Sequence, residues 1–436
     1  MPPLGSVRRR KEYSDRFEDD GSGGTLSHLP IVMVTPFEAA PPRSTLRYTL
    51  VLGTLVALGA LGIDTYLPAF PAIAKSLGVT EGRVQLSLVS YFIAVALGQV
   101  VYGPLADRFG RRMPMLAGLG LFTMASVGCA LTNSIEALIV LRFFQGLGAC
   151  ATMVIPRAVV RDLRSGEEAA KLFALMMLVL GVSPIFAPLL GSFIITWLPW
   201  QAMFWFLALY GALCMASVSL LLEESHPEER RTSGGVLSAF GTYARLLRDR
   251  SFLVPVMNGG FSQAVLFAYL TASPFVYIQL YHVDPKVYSL LFAFNAVGLI
   301  GLAQFNVVLL RRFGATRLLR FASAVQTVSA LVLLLSFVLR VDSLPLTGLC
   351  LFLCVGVQGM VGPTTMMMAL EPNPEVAGAA SALSGTLQFA CGAISGSLVS
   401  ALFNGTAVPF ALVVTVCAAV ALGLAWLRPS PRLVEA

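Results

Sequence analysis

Residues 58–74 read LGALGIDTYLPAFPAIA, the far end of a long apolar run that carries one carboxylate, Asp64, followed by Pro68 and Pro71. Nearly every other Asp and Glu falls in a loop, a tail or at the edge of an apolar segment. Burying an acid within a membrane-length helix costs about 2.5–3.5 kcal/mol on insertion scales, so such residues are rare and usually functional. The alternative for Asp64 is a carboxylate near the water interface that caps or hydrates locally. The rest of the chain, read outward from this stretch, bears on that choice.

Of the 436 residues, 56% are hydrophobic and only 12% are charged. Soluble domains carry about a quarter charged residues, so the composition is that of a membrane protein. The 30 Lys and Arg outnumber the 23 Asp and Glu, giving a net charge of +7. In a membrane protein such an excess marks loops held on the anionic, cytoplasmic side of the bilayer and implies no nucleic-acid partner. Seven cysteines (Cys129, Cys150, Cys214, Cys350, Cys354, Cys391 and Cys417) all lie in apolar segments. Their odd number and spacing fit neither a disulfide framework nor a metal site, and the three scattered His add none. Neither metal nor cofactor is expected.

Residues 1–46 are polar, with RRRK at 8–11 and an acidic patch at 18–20, and lack the apolar core of a cleavable signal directly after the basic cluster. They read as a disordered cytoplasmic tail, with a weak signal for an interfacial helix over 29–37. Apolar runs long enough to cross about 30 Å of hydrocarbon follow. They occupy residues 47–71, 84–105, 114–131, 136–158, 170–194, 201–222, 252–280, 287–310, 317–339, 346–369, 377–402 and 408–428. In lipid only helices or closed barrels satisfy the backbone, and these runs do not alternate as barrel strands do. The expectation is an all-α membrane protein of twelve transmembrane helices.

The N-terminal tail, the loops after spans 2, 4, 6 and 8, and the C-terminal end hold about 25 of the 30 Lys and Arg, which places both termini in the cytoplasm. A charged loop at 223–251, with EESHPEERR, a Thr-Ser-Gly-Gly turn and RLLRDR, divides the spans into six plus six. Arg108-Phe109-Gly110 after span 2 recurs as Arg312-Phe313-Gly314 after span 8, and Gln145-Gly146 in span 4 as Gln358-Gly359 in span 10. These repeats point to two pseudo-symmetric six-helix bundles, 47–222 and 252–428, joined by the cytoplasmic linker 223–251 and followed by a short cytoplasmic tail, 429–436. In such parallel repeats a substrate site lies at the repeat interface near the midplane.

Three motifs carry the chemistry. The first, GPLADRFGRR at 103–112, places Gly103 for close helix approach, Asp107 with Arg108, Arg111 and Arg112 as a charged hinge, and Gly110 for a tight turn. A generic basic loop explains the Arg residues but not the Gly–Asp–Gly spacing. The second is LRFFQGLG at 141–148, where Arg142 is as costly in an apolar helix as Asp64 and needs a partner. Counting about 1.5 Å per residue from the outer ends of spans 1 and 4 puts Asp64 and Arg142 at nearly the same depth. They are expected to meet directly or through polar side chains, as a functional pair or as a structural ion pair pinning the two spans. The third, GVSPIFAPLLGS at 181–192, sets Gly181, Pro184, Pro188 and Gly191 in one helix, which allows bending and close packing.

GPLADRFGRR resembles the loop 2–3 signature of the major facilitator superfamily, whose cytoplasmic ion pairs stabilise the outward-facing state and break as the halves rock. In the second copy Arg311 replaces the acid and the first Gly is lost, which implies a gate dominated by the first half. The family also carries an Arg at the position of Arg142, linked to proton coupling. Residues 181–192 are similar to the antiporter motif of the exporter branch, with Ala187 where many exporters have Gly. Across the membrane region, IDTYLPAFP, GQVVYGPLADRFGRR, RFFQGLGA, VRDL, SPIFAP, EESHPEERR, ASPFVYI and ASALSGTLQFACGAISG resemble the Bcr/CflA, or bicyclomycin-resistance, branch of drug:proton antiporters.

The resemblance implies a monomeric exporter of the bacterial inner membrane that uses the proton gradient, with no cofactor, to move drugs of the bicyclomycin, sulfonamide or amphenicol type. Its cavity is expected to be lined by Tyr66, Tyr91, Gln145, Phe275, Tyr277, Asn295, Gln358 and Gln388, although each of these types more often packs or bonds between helices. Two rivals remain. One is a proton-coupled uptake symporter, or an exporter of a small metabolite. The other is a non-transporting membrane sensor or integral-membrane enzyme, and no His cluster, paired acids or activated nucleophile supports catalysis.

Overall fold

A computed structural model describes residues 42–231 and 236–427. The basic and acidic clusters of the tail, the helix signal over 29–37, the Thr-Ser-Gly-Gly turn at 232–235 and the C-terminal end from 428 lie outside the described residues. Twelve helices are long and apolar enough to cross a membrane: Arg47–Leu77, Glu81–Phe109, Arg112–Leu131, Ile135–Leu163, Gly166–Trp197, Gln201–Leu221, Arg250–Leu280, Pro285–Phe313, Ala315–Val338, Leu344–Leu370, Pro374–Ala401 and Val408–Trp426. They are called spans 1 to 12. No strand occurs among the described residues, as a chain that must satisfy its backbone in lipid requires.

Two segments differ from the sequence expectation. The first helix is Pro42–Asp64, so it starts inside the stretch expected to be tail. A proline suits a helix's first turn because its fixed φ is helical and its missing N–H would be unpaired there. The linker, expected as a charged loop, contains a short 3-10 turn, Glu228–Arg230, and a helix, Val236–Arg248. That helix is held by Tyr243 and Leu246, which are buried against Phe252 and Val256 of span 7 and Ala380 and Leu383 of span 11.

The first six spans meet the last six chiefly where span 2 lies against span 11 and span 5 against span 8. Phe92 of span 2 stacks on Phe267 of span 7, centroids 4.3 Å apart, and Phe389 of span 11 closes the cluster 5.0 Å from Phe267. The repeated sequence motifs adopt the same geometry in both halves. Arg108 lies over Phe109 at 5.2 Å and Arg312 over Phe313 at 5.4 Å. Each is followed by a glycine with positive φ, +85° at Gly110 and +75° at Gly314, a conformation glycine adopts without a Cβ penalty.

The second repeated glycine also serves one purpose twice. A Cβ on Gly146 would stand 2.5 Å from the Tyr91 carbonyl, and one on Gly359 would stand 2.1 Å from the Leu299 carbonyl. Span 4 thus packs on span 2 as span 10 packs on span 8. Backbone on the facing side cannot yield cheaply, so Gly359→Ala is expected to lose about 1–3 kcal/mol of stability. Gly362→Ala, where a Cβ meets open space, is expected to be neutral or stabilising. Unfolding midpoints of the two purified variants check this.

Candidate functional site

Span 1 is not one helix. The segment Pro42–Asp64 ends at the carboxylate, a 3-10 turn Leu67–Ala69 follows, and a second helix Phe70–Leu77 completes the span. Pro68 and Pro71 explain the break, since neither donates a backbone N–H and each disfavours α geometry just before it. Asp64 therefore lies further from the C-terminal end of span 1, at Leu77, than the sequence count placed it. Its residue is 6% exposed. No hydrogen bond or ion pair reaches its carboxylate from the other described residues.

Arg142 is fully buried, and it does not pair with Asp64. Its guanidinium lies between the rings of Tyr66 and Tyr91, 4.6 and 4.5 Å from their centroids, with Phe204 at 5.9 Å. Nη1 donates to the Gly62 carbonyl at 3.0 Å and to the side-chain oxygen of Gln145. The helix end at Asp64 leaves last-turn carbonyls without an intrahelical donor, and the cation supplies one while complementing the negative end of the helix dipole. Aromatic faces replace the expected carboxylate as its main surroundings. Equal depth brought the two residues to one level, but the Gly62 carbonyl and the rings occupy the arginine.

Three of the residues expected to line a cavity thus build this cage. The Tyr66 hydroxyl is 2.7 Å from Ser87 Oγ, the Tyr91 hydroxyl donates to the Gly59 carbonyl at 3.3 Å, and Gln145 donates to Ser126 at 2.7 Å. The other five belong to the second half. Phe275 packs edge-on against Phe403 at 4.9 Å. Asn295 donates to the Tyr269 hydroxyl at 2.9 Å, and Tyr277 lies beside it. Gln358 accepts from Ser262 and donates to Gln263, both at 2.5 Å. Gln388 is half-buried on span 11, near Gly259. Tyr269 and Tyr288, which no motif in the sequence singles out, lie within the electrostatic reach of Asp64.

The motif of span 5 meets the break in span 1. A Cβ on Gly191 would stand 2.1 Å from the Thr65 carbonyl, so only glycine lets the helices touch there. Gly181 is in ordinary contact with Ile300 of span 8, and the Pro188 carbonyl accepts from Ser289 of span 8 at 2.9 Å.

At the face carrying the basic loops, Arg111 binds Asp162 of span 4 at 2.7 Å and Asp107 at 2.5 Å. The backbone N–H groups of Arg111 and Arg112 donate to the two oxygens of Glu224 at 2.8 and 3.0 Å, and Arg112 donates to the Ser219 carbonyl at 2.5 Å. Burial would lower the Arg111 pKa, but the Asp162 and Asp107 bonds outweigh it and hold the guanidinium above its ordinary value. A raised cation contributes stability that is lost only as pH rises through a pKa already far above neutrality. Arg111 is therefore charged at any physiological pH. Arg111→Gln is expected to cost about 2 kcal/mol. Arg108→Gln, whose partner is the Phe109 ring, is expected to cost under about 0.5 kcal/mol, and thermal unfolding compares them. Gly103 is a correction: a Cβ there meets open space, so it borders a cavity instead of a close helix contact.

At the opposite face the two halves touch. Gln279 of span 7 donates to Glu81, which is buried at the start of span 2, and Gly82 packs on the Ser400 carbonyl and Phe403. Glu81 escaped the sequence reading because it stands at a span edge, where acids are ordinary. The signal available was its position directly after Thr80 at a helix start.

The family profile of the Major Facilitator Superfamily matches residues 51–396. The chain belongs to this superfamily. Within it the chain groups with the bicyclomycin-resistance branch. It is 36% identical over 385 residues to the uncharacterized MFS-type transporter YdgK of Bacillus subtilis (strain 168), covering 87% of this chain and 94% of that protein. It is 33% identical to the bicyclomycin resistance protein homolog of Haemophilus influenzae (strain ATCC 51907 / DSM 11121 / KW20 / Rd), covering 86% and 94%. The chloramphenicol resistance protein of Pseudomonas aeruginosa is 32% identical, covering 67% and 69%. The superfamily fold is also that of a D-xylose-proton symporter, with a TM-score of 0.70 at 16% identity over 87% of this chain and 97% of that one. This major facilitator is accordingly a multi-pass transporter and not an enzyme.

Proposed function

We propose that the protein is a proton-coupled efflux transporter that exports small antibiotics of the bicyclomycin, sulfonamide or amphenicol type. The observation that carries this reading is the buried Asp64 at the break in span 1, without a hydrogen-bond partner among the described residues and two residues after a carbonyl held by the caged Arg142. A lone carboxylate there takes a proton from outside and releases it inside, and its proton affinity follows its burial and its charged neighbours. Rocking of bundles 47–222 and 252–428 changes those neighbours, so the two states hold the proton differently, as coupling requires.

In this reading the protein works as a monomer in the bacterial inner membrane, with both termini and the basic loops in the cytoplasm. The network of Asp107, Arg111 and Asp162, tied to Glu224 of the linker, is the first half's part of the cytoplasmic gate. Names of the relatives from Haemophilus influenzae and Pseudomonas aeruginosa support the drug class. The test is a susceptibility panel in a drug-sensitive bacterium expressing the wild type beside Asp64→Asn. Resistance to one or more of these drugs with the wild type alone is expected, and unchanged susceptibility to all of them sinks the reading.

The hydrogen-bonding cluster of Ser262, Gln263, Gln326 and Gln358 in the second half favours export of a small polar metabolite as a second reading. Accumulation of a cell metabolite in the medium, with no change in drug susceptibility, would decide for it.

A further inference from the structure

At the basic face, spans 2, 4 and 11 and the linker helix enclose a cavity of about 210 Å³. Arg157 and Arg161 of span 4 both line it, and residues four apart share a helix face. No carboxylate among the described residues pairs with either guanidinium. The acid in the same wall, Asp107, is bound by Arg111, which also holds Asp162. Tyr243 of the linker helix, Gln99 and Ser381 of span 11 complete the polar lining.

Topology alone explains basic residues in a cytoplasmic loop. It does not explain Arg157, which lies six residues inside the end of span 4, about 9 Å by helical rise. It also borders the gap between the two sets of six spans. Both arginines are exposed, and the cavity they line leaves their N–H groups open to water or a ligand. Guanidinium forks match carboxylate, phosphoryl and similar planar or tetrahedral anions with two parallel hydrogen bonds.

We propose that this cavity is an anion-binding vestibule, in which Arg157 and Arg161 take the negatively charged group of a small organic molecule and Tyr243 flanks its body. Its role as the first station of an exported substrate rests on the efflux reading above, whereas the binding itself does not. The transporter then favours substrates bearing a carboxylate, a sulfonamide anion or a phosphoryl group over neutral analogues. A phospholipid headgroup carries the same chemistry, and the experiment separates the two sources.

The test uses the full chain in nanodiscs of phosphatidylcholine and follows the unfolding midpoint during titration with benzoate or its neutral counterpart benzamide. A saturable rise with benzoate and none with benzamide is expected. Half-saturation should move up at least tenfold in Arg157→Gln and in Arg161→Gln, and less in Arg157→Lys. Arg317→Gln, which removes a charge from the same face outside the cavity, should titrate as the wild type. Nanodiscs containing phosphatidylglycerol distinguish the ligand's source. A retained benzoate response assigns the site to soluble anions, and a response lost only in those discs assigns it to the headgroup. No saturable response in phosphatidylcholine, or an Arg317→Gln shift equal to that of Arg157→Gln, overturns the proposal. Failed drug resistance with intact benzoate titration would remove the transport role and leave the site.

Discussion

Asp64→Asn is expected to slow drug movement driven by a pH gradient strongly while leaving the protein folded. The substitution keeps the size of the side chain and removes only its ability to exchange a proton, and no bond to a described residue is lost with it. In proteoliposomes with an imposed gradient the rate should fall roughly 5- to 150-fold, the range spanned by coupling free energies of about 1–3 kcal/mol. Drug exchange without a gradient should persist, because the cage around Arg142 does not involve the carboxylate. Gradient-driven transport at the wild-type rate would falsify the proton role.

The second large effect is expected at Gly191. A Cβ there would stand 2.1 Å from the Thr65 carbonyl, so Gly191→Ala has to push the broken part of span 1 away from span 5. Overpacking of this kind costs about 1–3 kcal/mol, and here the displaced backbone is the one adjoining Asp64. Transport should fall more steeply than stability. Gly181→Ala is the control within the same motif. Its nearest neighbour, Ile300 Cγ1, lies at 3.5 Å, an ordinary contact, so both stability and transport should stay near wild type. Equal behaviour of the two variants would mean that the glycine spacing has no bearing on span 1.

The twelve spans were legible because apolar length is a one-dimensional property, and the basic loops fixed a single orientation in the sequence reading. The motif Gly-Asp-Gly was legible as a turn with charges, and Gly110 has the positive φ that reading needs. What sequence could not supply was azimuth. Helical rise sets the depth of Asp64 and Arg142, but which way each side chain points depends on the neighbours. Tyr66, Tyr91 and Phe204 come from three different spans, and no local pattern announces that they converge on one cation. Gly103 failed for the same reason, since a small residue in a membrane helix suits a close contact and a cavity wall alike. Glu81 was hidden by its position at a span edge, because burial there comes from span 7 of the other half through Gln279.

The interruption of span 1 has a mechanical side. A continuous helix transmits displacement along its length because bending it breaks hydrogen bonds. Between Asp64 and Phe70 those bonds are already rearranged into a tighter turn. The piece beyond the break, Phe70–Leu77, packs on the neighbouring ends of spans 2 and 7 and is joined to the rest of span 1 by a proline-bearing turn, so a displacement of those ends need not bend Pro42–Asp64. Asp64 stands at the pivot, where a small rotation changes its surroundings most. Amide exchange over residues 65–69 should then run faster than on either side.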